Sequence, residues 1–277
     1  MMMKLSAFGD EIGEDLDTQL TLMRSMGILG LDLRSAFGKN VLQLTYGEVV
    51  KVRDTVRAHG MHIESIGSPV NKVAFSPDGH AAEMAKLDRA IYIAHAVNTR
   101  RVRIFSPETS PHGDVTAWPE VRDWLAPMAK LAEEKDVVLM HENDWRFFGA
   151  WPAHSKLIFE TFGGPHFRAV YDPGNAVELG WHTMSDWFPW LLPHLVAIHV
   201  KDRKFGATEF SYAGQGDGEI QELFAFLSKN EWEGTLTLEP HSEPKTAEGE
   251  GVAAFGAANS ALHAVMDRAQ VHSAGLW

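Results

Sequence analysis

Short apolar runs alternate with amphipathic segments along the whole chain. Eight runs have the length of strands, and each is followed by a segment whose apolar positions have helical spacing. The predicted strands are Leu5–Phe8, Gly30–Leu33, His62–Gly67, Arg101–Phe105, Val137–Glu142, Arg168–Asp172, Leu195–Val200 and Thr235–Glu239. The predicted helices are Leu16–Met26, Tyr46–His59, Ala81–Val97, Val121–Glu134, Ala153–Phe162, Ser185–Leu192, Glu219–Asn230 and Val252–Arg268. This alternation favours parallel strands joined by crossover helices, as in a (β/α)₈ TIM barrel of the α/β class.

The length of the chain and the turn after its first strand favour a TIM barrel over a doubly wound sheet. A chain of 277 residues suits one such barrel, for which about 250 residues is typical. A doubly wound sheet usually has a glycine-rich phosphate turn after its first strand, and Phe-Gly-Asp-Glu at positions 8–11 is not one. We therefore expect a single domain over residues 1–277, with a loop at Pro244–Gly251 and a C-terminal tail at about 270–277.

The last four predicted strands each end in a residue that can bind a metal. These residues are Glu142, Asp172, His199 and Glu239. A single acid at a strand end is often only a helix cap, but four at consecutive strand ends indicate a shared site. The carboxyl ends of barrel strands form the active-site face, and strand parity places these side chains toward the barrel axis. Three carboxylates and one imidazole suit Mn²⁺, Mg²⁺, Co²⁺ or Zn²⁺.

Composition narrows the classes of function. The net charge of −12 weighs against nucleic acid as the main partner. The absence of cysteine excludes a thiol nucleophile, a thiolate ligand and a disulfide, and it fits a reducing cytoplasm. No segment approaches the roughly 20 apolar residues of a membrane span. We expect a cytoplasmic enzyme that acts on a small molecule, away from membranes, with homo-oligomerisation left open.

Motifs around the four residues carry a family resemblance. They are His141-Glu142-Asn143, Asp172-Pro173-Gly174-Asn175-Ala176, His199-Val200-Lys201-Asp202, Gly214-Gln215-Gly216-Asp217-Gly218 and Leu238-Glu239-Pro240-His241. With them, the chain resembles the sugar phosphate isomerase/epimerase superfamily of xylose isomerase-like barrels. Members of that superfamily include D-tagatose 3-epimerase, hydroxypyruvate isomerase, inosose isomerases and dehydratases, and dehydroshikimate dehydratase.

The resemblance implies one divalent ion, with Mn²⁺ as the first choice, held by Glu142, Asp172, His199 and Glu239. It also implies that Glu142 and Glu239 are the acid/base pair. Such an ion polarises a carbonyl and stabilises the enediolate that forms when the α-proton leaves. We therefore expect an isomerase or epimerase for a small sugar, ketose or keto-polyol. A lyase that eliminates a β-hydroxyl is the alternative, whereas a nuclease like endonuclease IV would need more metal ligands.

Several further residues are candidates for contacts with the substrate. Asn175 replaces a histidine of the ketose epimerases, and Lys201 shares the parity of His199, so it either reaches the substrate or pairs with an acid. Lys72, together with Gly67-Ser68-Pro69, matches one branch of the superfamily. By parity His141 points toward the helices, which leaves it a core histidine, a support for the site or an additional base.

Aromatic residues crowd the loops after the fifth and sixth strands. We expect Trp145 and Trp181 to line the mouth of the site and to stack on the apolar face of a sugar ring. Arg34 and Glu64 lie near the ends of earlier strands, where they either bind hydroxyl groups or form a buried ion pair.

Overall fold

The computed structural model describes residues 2–241 and 250–273, in which eight parallel strands close into a barrel. Each strand pairs with the next along the chain, and the eighth pairs with the first. The strands are β1 (Met2–Ala7), β2 (Gly30–Leu33), β3 (His62–Ile66), β4 (Arg101–Ile104), β5 (Val138–Glu142), β6 (Phe167–Tyr171), β7 (Leu195–Val200) and β8 (Thr235–Leu238). The predicted (β/α)₈ barrel is therefore confirmed.

Helices follow the strands and cover the outside of the barrel. They are α1 (Leu16–Ser25), α2 (Tyr46–Ala58), α3 (His80–Ala96), α4 (Trp118–Glu134), α5 (Pro152–Phe162), α6 (Pro173–Glu178), α7 (Ile220–Lys229) and α8 (Glu250–Arg268). Local signals fix several of their starts: a capping box between Thr45 and Glu48 begins α2, and the Asp15 side chain accepts a hydrogen bond at the start of α1.

The sixth helix differs from its prediction. The predicted helix Ser185–Leu192 is wrong, because this segment is a π-helical turn at Thr183–Trp187 that ends before Pro189. Proline has no amide hydrogen to donate and its ring crowds the preceding turn, so it disfavours a helix that would run through it. The helix that does follow the strand is α6, a short helix capped by Asp172, with Pro173 at its first position.

Strand parity separates two interiors. Leu139, Ile198 and Leu236 face outward and lie in the large apolar core between barrel and helices. The alternate residues Met140 and Val170, with Ala197, form a separate small apolar cluster inside the barrel. Inward-facing positions nearer the carboxyl ends of these strands are polar, so the barrel axis carries the chemistry and the outer layer carries most of the apolar packing.

Two polar clusters lie inside the barrel below the carboxyl ends of the strands. In one, Glu64 accepts hydrogen bonds from Arg101 and Thr235. In the other, the carboxylate of Asp32 accepts hydrogen bonds from three hydroxyl groups, those of Ser6, Ser65 and Thr237. Glu64 therefore forms the buried ion pair that was one of its two predicted roles.

The remaining predictions concern the ends of the chain and its organisation. The predicted loop Pro244–Gly251 lies largely outside the described residues, although Gly251 is already in α8. Of the predicted tail at about 270–277, the pair His272–Ser273 forms a short strand parallel to β1, and positions 274–277 lie outside the described residues. The single domain over residues 1–277 stays a prediction. In the described residues no helix is long and apolar enough to cross a membrane.

Candidate active site

The four predicted metal ligands meet at the carboxyl ends of β5 to β8. Glu142 ends β5, Asp172 directly follows β6, His199 lies in β7, and Glu239 directly follows β8. All four side chains are buried, and one ligand atom from each lies within 4.8 Å of the others. An ion with bonds of about 2.0–2.3 Å needs ligand separations no greater than this.

Three polar atoms of the cluster make no hydrogen bond. Glu142 Oε2, Glu239 Oε2 and His199 Nδ1 are all buried without a hydrogen-bond partner. They also face one another, since His199 Nδ1 lies 3.3 Å from Glu142 Oε2 and 3.2 Å from Glu239 Oε2. Buried polar atoms normally make hydrogen bonds. Three neighbouring atoms that make none, and that can each bind a metal, fit a divalent cation. The residues present therefore suit the implied metal.

The charge state of the cluster also suits a divalent cation. Burial opposes the charge on His199, but Glu142 and Glu239 raise its pKa to about 10. The imidazole is therefore protonated at neutral pH when no cation is bound. Burial also opposes the charge on Glu142, yet His199 and Arg103 hold its pKa well below the usual range. The pKa of Glu239 is likewise lowered against its burial, chiefly by Lys201. Both glutamates are thus ionised at neutral pH.

Cationic side chains surround the two glutamates. Arg103 Nη1 lies 3.3 Å from Glu142 Oε2. On the other side, Arg34 Nη1 donates to Glu239 Oε1 at 3.0 Å, and His241 Nε2 lies 3.1 Å from the same oxygen. Each glutamate therefore has one oxygen aimed at the cluster centre, and Glu239 Oε1 is held from outside.

Asp172 is held on both of its oxygens. Its Oδ1 accepts the Asn175 amide at 2.9 Å and so caps α6, whereas Lys201 Nζ lies 2.5 Å from Oδ2. The Asn175 side chain contacts Oδ2 at 3.1 Å and Glu142 Oε1 at 3.3 Å, which joins two of the ligands. Burial raises the pKa of Asp172 to about 6 even beside Lys201. The predicted acid partner of Lys201 is therefore a metal-ligand candidate itself.

A side-chain amide also connects the ends of β5 and β6. Asn143 Nδ2 donates to the Asp172 carbonyl at 2.9 Å, and Asn143 Oδ1 accepts from the Asp172 amide at 2.7 Å. Asn143 is buried and directly follows Glu142. These two bonds hold the backbone of Asp172 at a fixed position relative to Glu142.

A cavity of about 230 Å³ opens above the cluster. Its walls include two of the four ligands, Glu142 and Glu239, and four of the predicted substrate contacts: Lys72, Trp145, Asn175 and Lys201. Trp145 is exposed, as a residue at the mouth of a site must be. The geometry therefore supports these four residues as substrate contacts.

Two predicted contacts lie elsewhere. The Trp181 side chain is half-buried against the large apolar core and does not line the cavity, because the chain turns at Gly180 after the short helix α6 and carries it back to the outer layer. His141 faces outward, buried against Phe159 and Phe167, as its parity predicts. Its position under α5 removes it from the substrate side, and burial lowers its pKa to about 4.

Four further residues line the cavity that the sequence did not single out for this role. They are Arg103, Asp144, Arg146 and Phe210, and His241 of the Leu238-Glu239-Pro240-His241 motif also lines the cavity. Alternation in Arg101-Val102-Arg103 was the available signal, since it places both arginines on the inward face of β4. Arg34 lines the cavity and pairs with Asp10 and Glu239, so it forms the ion pair that was one of its two predicted roles, and its binding of hydroxyl groups stays a prediction.

A family model described as xylose isomerase-like TIM barrel matches residues 20–258. The chain belongs to this family. The match covers most of the barrel, including all four ligand candidates.

Relatives of this xylose isomerase-like barrel are distant in sequence. Inosose dehydratase of Bacillus thuringiensis (strain Al Hakam) is 20% identical over 269 residues, which cover 88% of this chain and 82% of the relative. The solved structure of a D-tagatose 3-epimerase-like protein is similar with a TM-score of 0.73 at 14% identity, covering 96% of this chain and 99% of that one. A Mycobacterium smegmatis barrel in complex with magnesium has a TM-score of 0.70 at 14% identity, covering 96% and 97%.

Proposed function

We propose that this protein is a divalent-metal-dependent isomerase or epimerase acting on a small sugar, ketose or keto-polyol. The observation that carries the proposal is the pair of ionised glutamates, Glu142 and Glu239, each with a buried oxygen that makes no hydrogen bond and lies beside His199. The family includes sugar-modifying enzymes, and the epimerase-like neighbour fits the same class. We propose Mn²⁺ as the ion, with Mg²⁺, Co²⁺ and Zn²⁺ as alternatives, because the ligand set is rich in oxygen.

The residues divide the work as follows. Glu142, Asp172, His199 and Glu239 would hold the ion, which when bound would polarise the substrate carbonyl. One glutamate takes the proton from the neighbouring carbon, and the same or the other glutamate returns a proton. Return to the opposite face gives an epimer, and return to the adjacent carbon gives an isomer. Arg34, Arg103 and Lys201 keep the carboxylates ionised, which a base requires.

A lyase is the second candidate, and the similarity to inosose dehydratase is the specific observation that favours it. Abstraction of the same α-proton by a glutamate would be followed by loss of hydroxide from the β-carbon, with a proton from an acid completing the water. The site contains both carboxylates and cationic side chains, which either isomerisation or β-elimination would require. The arrangement does not favour a multi-metal nuclease, because the guanidinium of Arg34 contacts both Glu11 and Glu239, where a second ion would have to bind.

Incubation in D₂O with added Mn²⁺ tests the proposal. A panel of ketoses, inososes and keto acids would be followed by NMR and mass spectrometry, with a parallel sample that contains EDTA. We expect metal-dependent entry of deuterium at a carbon next to the carbonyl. An epimer or isomer with one deuterium supports the first candidate, and a product lighter by one water supports the second. Turnover that survives complete removal of metal would contradict both.

A further inference from the structure

One wall of the cavity carries two cationic side chains on an aromatic base. Lys72 Nζ lies 4.5 Å from the centre of the Phe105 ring, and the guanidinium carbon of Arg146 lies 5.2 Å from the centre of the Phe147 ring. The two rings contact each other, with centres 5.4 Å apart, and both are fully buried. The aromatic pair therefore sets the two positive charges side by side on a rigid support.

Asp144 organises this wall but neutralises only one of its charges. Asp144 Oδ2 lies 2.9 Å from Lys72 Nζ, and Oδ1 accepts the backbone amide of Arg146 at 3.2 Å. Within residues 2–241 and 250–273, the Arg146 guanidinium forms no ion pair, and its contacts are with the rings of Trp145 and Phe147. Arg146 is exposed and lines the cavity, and no described anion pairs with the donors of its planar guanidinium.

The charged residues that line the cavity also favour an anionic ligand. Its described lining contains five Lys or Arg residues against three Asp or Glu residues. A divalent ion would add two further positive charges at the base. Asp172 pairs with Lys201, and Asp10 and Glu11 pair with Arg34, from outside this lining. Among the cationic lining residues, Arg146 is therefore the one without an ion pair to a described residue. Such a cleft attracts anions and binds them in preference to neutral molecules of the same shape.

We propose that the substrate carries an anionic group, a carboxylate or a phosphate, and that Arg146 binds this group with help from Lys72. The group would lie on the aromatic wall while the carbonyl end of the molecule reaches Glu142 and Glu239. The cavity of about 230 Å³ is smaller than the roughly 300–1,000 Å³ of typical ligand pockets, which limits the substrate to a small molecule. The proposal deepens the proposed function, because it names the substrate class of the same site.

Binding of three matched polyols tests this inference without turnover. Erythritol, erythronate and erythritol 4-phosphate share a carbon chain and differ in one end group, so calorimetry on the Mn²⁺-loaded protein compares neutral, carboxylate and phosphate ends. We expect at least one anion to bind tenfold or more tightly than erythritol. Arg146→Gln should weaken that anion about tenfold or more and leave erythritol unchanged, and Arg146→Lys should fall between because it keeps the charge but loses the fork.

The matched control is Arg122→Gln, which removes an exposed arginine that pairs with Asp123 on α4 and does not line the cavity. It should bind all three polyols as the wild type does. The anion that loses more affinity in Arg146→Gln identifies the group as carboxylate or phosphate. Equal binding of erythritol and both anions, or anion binding that Arg146→Gln leaves intact, would overturn the proposal. Failure of deuterium exchange with normal anion selectivity would instead overturn the proposed function alone.

Discussion

Two groups of buried charged side chains lie inside the same barrel, and they differ in how their polar atoms are satisfied. In the deeper group, Glu64 is bonded by Arg101 and Thr235, and the carboxylate of Asp32 is bonded by three hydroxyl groups. In the group at the carboxyl ends, Glu142, His199 and Glu239 each keep an atom without a partner. The acidic side chains of both groups and His199 are almost completely shielded from water.

The difference separates a structural role from a functional one. A buried charge is costly unless hydrogen bonds or opposite charges compensate it, and folded proteins compensate nearly all of them. The carboxylates of the deeper group receive hydrogen bonds from neighbouring side chains of the barrel, which is typical of a structural role. In the upper group, three potential ligand atoms without a hydrogen bond lie close together, and this arrangement is typical of a binding site.

The largest expected effect concerns proton transfer. Glu142→Gln and Glu239→Gln should each reduce α-proton exchange by about 10²–10⁴-fold, because an amide cannot accept the proton. Deuterium incorporation and bound metal would be measured in the same samples. Glu64→Gln is the control from the deeper group, and it should exchange deuterium as the wild type does wherever it is folded.

Wild-type exchange in either metal-loaded glutamine variant would exclude that glutamate as an obligatory acid or base. If both variants exchanged normally, the comparison between the two groups would lose its functional meaning.

The second effect concerns stabilisation by metal. A ligand at a concentration of 100 times its Kd stabilises the folded state by about 2.7 kcal/mol when it binds only that state. Mn²⁺ should do so for the wild type in urea titrations, and EDTA should reverse it. His199→Ala should lose this increment, because it removes the imidazole ligand. Asp32→Asn should keep it, and an equal loss in Asp32→Asn would erase the distinction between the groups.

The third effect concerns the stability that the deeper group contributes. Burial disfavours its charge, but bonds from His62, Arg101 and Thr235 lower the pKa of Glu64 from 4.5 to about 2. A depressed folded-state pKa gives stability that is present above the unfolded pKa and is lost as pH falls toward about 2. Glu64→Gln should therefore cost about 2–3 kcal/mol at pH 7 and progressively less below pH 4.5, as measured by urea denaturation.

Asp32 provides a test of opposite sign in the same experiment. Burial raises its pKa in spite of the hydroxyl groups of Ser6 and Ser65. A raised folded-state pKa of an acid means that stability is highest below the unfolded value of about 3.9 and decreases as pH rises through the folded value. The stability of the wild type relative to Asp32→Asn should thus decrease as pH rises above about 4. A difference that stayed constant with pH would contradict the raised pKa.

Much of the fold and the centre of the site could be predicted because both depend on alternation. The two-residue period of strands brought Glu142, Asp172, His199 and Glu239 to one point, and the strand–helix alternation indicated the barrel. Ser185–Leu192 failed because its helical spacing of tryptophans outweighed the proline inside it. The better signal was Asp172-Pro173, a cap followed by the residue most suited to a first helical position.

The periphery of the site was harder to predict, since it depends on loop paths. Trp145 and Trp181 are alike in sequence terms, yet one lies at the cavity and the other packs on the outer core. Arg146 was overlooked because a lone arginine in a loop is usually solvated, and only the Phe147 ring beneath it places it beside the cavity. Such contacts join loops whose relative positions the local sequence does not determine.

The amide of Asn143 has a consequence for how the site can vary. By pairing with both backbone groups of Asp172, it acts as one more rung of the sheet beyond the last residues of β5 and β6. Neighbouring strands of a sheet lie about 4.7–4.9 Å apart, so sheet geometry sets the distance between the backbones that carry Glu142 and Asp172. The two backbones therefore keep this spacing without an ion, and binding of one would require little further ordering of the chain there.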